Sequence, residues 1–164
     1  MTRLIATFFY VGHLRPAPGT WGSLAALPLG LGLMILGGPA LLIAATLALL
    51  ALGWWAVKAE TRASGTEDPS EIVVDEVVGQ WIALWPIAIG AAHVGAAYTA
   101  LWPGWVAAFL LFRLFDVTKW GPVGWADRRH DAGGLMLDDV IAGLMAAVGV
   151  VLLAAIAHLP VILR

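Results

Sequence analysis

The sequence predicts an all-α fold: a polytopic integral membrane helix bundle of about five transmembrane helices, with four as the alternative count, in one domain over residues 1–164. Composition is the first reason. Hydrophobic residues make up 61% of the chain and charged residues 12%, about half the charge of an ordinary soluble domain, so too few polar side chains remain to coat a water-soluble globule. Charge-free runs are the second. Residues 21–57, 77–112 and 140–163 hold no Lys, Arg, Asp or Glu, and a span needs roughly 20 apolar residues. The two longer runs therefore suit hairpins of short helices, and the third suits a single helix.

Local punctuation sets the elements. The first helix is expected to begin near Ser23, capped after the turn-forming Pro18, Gly19 and Thr20, and to end at Gly37, Gly38 and Pro39. The second covers Ala40 to Val57, and a polar segment from Lys58 to Asp75 follows, broken by Ser64, Gly65, Asp68 and Pro69. A third helix is expected over Glu76 to Ala91 and a fourth from the Trp102-Pro103-Gly104 turn to about Asp116. After the polar segment from Val117 to Leu137, a fifth helix is expected to start at Asp138 and Asp139, where carboxylates favour a helix N-terminus, and to stop by His158 before Pro160.

Threaded through a membrane, five spans leave Arg3, Arg15, Lys58, Arg62, Arg113, Lys119, Arg128 and Arg129 on one side, which the positive-inside rule makes cytoplasmic. All eleven Asp and Glu residues fall on the same side. Topology does not require that, whereas a polar site at the cytoplasmic helix ends would. The tryptophans, among them Trp21, Trp54, Trp55, Trp102, Trp105, Trp120 and Trp125, gather near expected helix ends as an interfacial belt. The N-terminus has no cleavable-signal pattern, so the first apolar run is expected to stay.

Several classes are excluded. The chain has no cysteine, so disulfides, Cys-ligated metals and cysteine-nucleophile phosphatases drop out. A net charge of −2 without a basic stripe argues against nucleic acid. His13, His93, His130 and His158 show no zinc-type spacing, and only His130 falls in a polar segment. Nothing in the sequence specifies an oligomeric state.

The chemistry-bearing residues are acids at the ends of apolar helices: Asp75, Glu76, Asp116, Asp138 and Asp139. Carboxylates there are costly unless hydrated, paired or bound to metal. One alone reads as a solvated cap, but a convergent set repels itself unless a cation intervenes. Oxygen ligands without cysteine favour a hard ion such as Mg²⁺, which commonly completes its shell with water and phosphate oxygens. Arg113, Lys119 and Arg128 lie close in sequence and suit a phosphate clamp. Thr20, Gly22 and Ser23 lie in a Pro-Gly segment able to aim amides and hydroxyls at an anion, and Asp68 and Asp127 are second-rank candidates.

Four ordered blocks then resemble the phosphatidylglycerophosphatase A family. They begin at Pro18-Gly19-Thr20-Trp21-Gly22-Ser23, Asp68-Pro69-Ser70-Glu71 (running on to Asp75-Glu76-Val77-Val78-Gly79), Phe112-Arg113-Leu114-Phe115-Asp116-Val117-Thr118-Lys119 and Gly133-Gly134-Leu135-Met136-Leu137-Asp138-Asp139. Pro122 and Trp125-Ala126-Asp127-Arg128 also fit; Trp120 departs from the proline usual after the lysine. The resemblance implies a multi-pass bacterial inner-membrane enzyme that hydrolyses phosphatidylglycerophosphate to phosphatidylglycerol and phosphate with Mg²⁺, facing the cytoplasm. On that reading Asp75, Glu76, Asp116, Asp138 and Asp139 hold or orient the metal, and Arg113, Lys119 and Arg128 bind phosphate. The rivals are a small cation transporter or channel subunit, and a non-catalytic membrane assembly protein.

Overall fold

The computed structural model describes residues 1–65, 69–129 and 131–162, and among them every regular element is helical. In chain order these are α1 (Thr2–Ala6), a 3₁₀ turn (Val11–His13), α2 (Pro18–Ser64), α3 (Val74–Val94), a second 3₁₀ turn (Tyr98–Leu101), α4 (Trp102–Thr118), α5 (Pro122–Asp127) and α6 (Ala132–Ile162). Four helices are long and apolar enough to cross a membrane: Pro18–Ser64, Val74–Val94, Tyr98–Thr118 and Gly133–Leu159.

The first of these is not one rod. Gly37 and Gly38 leave helical geometry, and Gly38 takes φ 65°, ψ −160°, a region open essentially to glycine alone. Pro39 follows and starts the second arm, where its missing N–H costs nothing. Contacts with α3 show the reversal. Gly19 lies against Glu76 and Gly30 against Trp81 and Leu84, so the first arm runs in the same direction as α3. Thr46 bonds Trp85, and Gly53 lies against Val74, so the second arm runs back.

α3 is the central rod, buried along most of its length while the other three expose most of theirs. Its indoles stitch it to both arms of α2. Trp81 Nε1 donates to the carbonyl of Ala26 at 2.8 Å and Trp85 Nε1 to Thr46 Oγ1 at 3.3 Å, satisfying donors that a buried ring would otherwise leave unpaired. Around it Met34, Leu42, Leu84, Ile87, Phe112 and Val123 form one core cluster, and Val57, Val74, Val78, Ile82 and Met136 a second. Outward-facing Leu, Ile and Val side chains, such as Leu36, Leu110 and Ile156, are exposed, as suits rods solvated by lipid.

Helix α6 crosses α3 at glycines. A Cβ on Gly143 would lie 2.4 Å from the carbonyl oxygen of Gly79, and one on Gly79 would lie 2.6 Å from that of Asp139. Small residues let membrane helices approach backbone to backbone, and this contact carries Asp139 up against α3.

Several expected boundaries are corrected. The first long helix starts at Pro18 rather than near Ser23; proline is well placed in a first turn, and Ser23 Oγ donates back to the Gly19 carbonyl at 2.8 Å inside the helix instead of capping it. The last helix starts at Ala132 rather than at Asp138. Asp131 is its cap, accepting from the Gly134 amide at 2.6 Å, the usual reach from cap to third helical residue. It also runs through Pro160 to Ile162 instead of stopping at His158. The second helix runs on past Val57 to Ser64, and within the polar segment after α4 Pro122 initiates α5.

The α3–α6 contact gives a test. Gly143→Val should lower stability in detergent by about 1–3 kcal/mol, the usual cost of overpacking, and drop the thermal midpoint. Gly90→Ala, with nothing within 4 Å of the added atom, should leave the midpoint unchanged or raise it slightly, since alanine is the better helix former.

Candidate functional site

The first turn of α3 carries Asp75 and Glu76, the last turn of α4 carries Asp116, and the second turn of α6 carries Asp138 and Asp139. Because α3 and α6 touch through glycines, Asp139 meets the start of α3. Asp75, Glu76 and Asp139 each present a carboxylate oxygen within 4.8 Å of the other two. Asp75 and Asp139 are buried and Glu76 half-buried. Glu76 Oε2 and Asp139 Oδ1 are buried without a hydrogen-bond partner among the described residues.

Three ionised acids held this closely in an apolar bundle repel one another; Asp75 Oδ1 accepts from the Glu76 N–H at 3.1 Å, which leaves Glu76 Oε2 and Asp139 Oδ1 without donors among the described residues. Converging oxygens with orphaned lone pairs fit a hard divalent cation, with Asp75, Glu76 and Asp139 as the residues to hold it.

The other two acids are answered by side-chain cations. Asp116 Oδ2 accepts from Arg113 Nη1, and Asp116 Oδ1 accepts from Lys119 Nζ at 3.1 Å. Lys119 Nζ also donates to Asp138 Oδ2 and lies 3.7 Å from Asp127 Oδ1. Burial alone would pull the Lys119 ammonium down, but the carboxylates of Asp139, Asp138 and Asp116 outweigh it and hold it well above its ordinary range. It therefore stays charged.

Backbone geometry places that lysine. Lys119 ends α4 in the left-handed region, φ 50°, with its N–H on the Phe115 carbonyl at 2.9 Å. Glycine is the usual residue there, and a side chain with a Cβ pays about 1–2 kcal/mol to adopt it. The turn brings Nζ to acids on both α4 and α6.

The Pro-Gly segment forms one wall. A Cβ on Gly19 would lie 2.1 Å from Glu76 Oε1 and 3.3 Å from Arg113 Nη1, and one on Gly22 would lie 2.9 Å from Val73 Cβ. Glycine at 19 thus lets the α2 backbone approach both the acid layer and the guanidinium. Thr20 is half-buried in that first turn. Arg128, at the end of α5, is exposed and forms no ion pair with the described residues. Asp68 and His130 lie outside the described residues.

Sequence reasoning passed over Gln80. It is fully buried on α3, one turn after Glu76. Its signal was a lone amide in a run that reads as uniformly apolar.

The sequence model of the family described as phosphatidylglycerophosphatase A matches residues 4–154. A Haemophilus influenzae protein named phosphatidylglycerophosphatase A is 38% identical over 147 residues, covering 88% of this chain and 83% of its own. An Escherichia coli protein of the same name is 34% identical over 146 residues, covering 88% and 78%. A Bacteroides thetaiotaomicron protein provisionally named a phosphatidylinositol-3-phosphatase is 39% identical over 147 residues, covering 86% of each chain. No solved structure gives a significant match.

The geometry separates two sets of acids. Glu76→Gln and Asp139→Asn should each weaken Mn²⁺ binding to the purified protein at least about tenfold, the lower end of what losing a supporting group costs a metal site. Asp131→Asn, at the exposed cap of α6, should bind Mn²⁺ like the unmodified chain.

Proposed function

The chain belongs to the phosphatidylglycerophosphatase A family, and we propose that it hydrolyses phosphatidylglycerophosphate to phosphatidylglycerol and phosphate, using Mg²⁺, at the cytoplasmic face of a bacterial inner membrane. The observation that carries this reading is the layer of acids from α3, α4 and α6 beside Arg113 and Lys119, at one end of an apolar bundle. Such a layer suits a phosphate at headgroup depth whose acyl chains stay in lipid.

Asp75, Glu76 and Asp139 hold the Mg²⁺. When bound, the ion neutralises charge on phosphate oxygens and favours ionisation of water. Arg113 and Arg128 offer planar forks to the phosphate and Lys119 a point charge. Asp116 fixes the direction of Arg113, while Asp116 and Asp138 together fix Lys119. Thr20 and the Gly19–Gly22 backbone line the α2 side. In the net reaction a water oxygen bonds phosphorus, the bond from phosphorus to the glycerol oxygen breaks, and the alcohol leaves carrying a proton.

In this reading both arms of α2 cross the membrane, making five crossings with α3, α4 and α6. The eight Lys and Arg residues at the acid end then face the cytoplasm. A cation channel would need polar side chains through the bundle. Away from the acid layer and the residues within about a turn of it, Thr46 is the buried polar residue among those described, which disfavours a permeation path. An assembly protein would have no use for an acid triad with orphaned oxygens.

Phosphate release by the detergent-purified protein tests the proposal, with phosphatidylglycerophosphate, phosphatidic acid and phosphatidylinositol 3-phosphate as parallel substrates. Release from the first should exceed the others, vanish with EDTA and return with Mg²⁺. Glu76→Gln should lower it at least about a hundredfold, the scale of losing one transition-state electrostatic contact. Preferential release from phosphatidylinositol 3-phosphate would move the substrate to that of the Bacteroides relative's name, and release unaffected by EDTA would remove the cation.

A further inference from the structure

Gln80 is the only glutamine in the chain, and there is no asparagine. It is fully buried, and neither its Oε1 nor its Nε2 has a hydrogen-bond partner among the described residues. An amide buried in this way is costly in an apolar medium unless it is paired. It sits four residues after Glu76, on the same face of α3, and helical side chains lean toward the N-terminal end of their helix. That end is the acid layer. Its neighbour Gly79 is the point where α6 delivers Asp139, whose carbonyl oxygen would lie 2.6 Å from a Cβ there.

The unpaired atoms are complementary. Glu76 Oε2 and Asp139 Oδ1 are two buried acceptors without donors, and Gln80 Nε2 carries two protons without acceptors. In the described residues these and Gln80 Oε1 are the buried side-chain atoms left unpaired. No hydrogen bond joins these atoms as the side chains stand; we propose that Gln80 is a positioning residue for the acid triad, its amide turning to hydrogen-bond the outer oxygens of Glu76 and Asp139 while their inner oxygens face the cation. Carboxylates that ligate a metal are commonly held by such bonds. This rests on the cation reading of the triad and adds a residue to it.

The single glutamine makes the test direct. In full-length protein labelled with ¹⁵N-glutamine and purified in detergent, one side-chain NH₂ pair belongs to Gln80. Titration with Mg²⁺ should shift that pair saturably, with the midpoint that calorimetry gives for Mg²⁺ binding, and Asp139→Asn should abolish the shift. A resonance that stays put while calorimetry records binding overturns the inference and leaves the triad reading standing. Absence of calorimetric binding to the unmodified chain overturns both. As a second arm, Gln80→Met should weaken Mg²⁺ binding about ten- to a hundredfold with a thermal midpoint equal to or above the unmodified chain's. Unchanged affinity would make Gln80 a filler of the core, contrary to the proposal.

Discussion

Everything in this fold depends on how five carboxylates are tolerated at the end of an apolar bundle. Acids brought together away from water repel and lose hydration, and each must be answered by a positive group or strong donors. The protein divides the problem. Asp116 and Asp138 are paired internally with Arg113 and Lys119, whereas Asp75, Glu76 and Asp139 converge, with Glu76 Oε2 and Asp139 Oδ1 buried and without a hydrogen-bond partner among the described residues. The first arrangement is complete within the chain. The second is left open to a cation, and that asymmetry is the basis of the proposed chemistry.

Packing serves this division. The fold-back at Gly37 and Gly38 sets two arms of α2 against α3, and the indoles of Trp81 and Trp85 lock one to each. The glycine contact between α3 and α6 sets how near Asp139 comes to Asp75 and Glu76. Small residues at that crossing act on the site although they carry no chemistry. Gly19 plays the same part for α2, bringing backbone rather than side chain to Glu76 and Arg113.

Much of this was legible in the sequence because apolar runs and Gly-Pro breaks are strong local signals. The charge-free runs located the long helices, and Gly37-Gly38-Pro39 marked the reversal. Helix starts were less legible where several capping types compete. Ser23 and the Asp138-Asp139 pair look like caps, but Pro18 opens α2 earlier and Asp131 caps α6 earlier. The acids on α6 consequently stand a turn inside their helix, so the dipole at its end is not what places them there. The partition of the acids was not readable, since Lys119 reaches Asp138 through a left-handed turn that lysine seldom adopts. Gln80 escaped because a search for charges passes over a single neutral amide.

The central claim is that Asp75, Glu76 and Asp139 form one divalent-cation site at the end of α3. Anomalous diffraction from crystals of the protein grown with Mn²⁺ tests it most directly. The account predicts a manganese peak bounded by those three carboxylates, with Asp116 and Asp138 remaining on Arg113 and Lys119. Ordered density for the triad with no peak at saturating Mn²⁺, or a peak held by Asp116 and Asp138 instead, would contradict it.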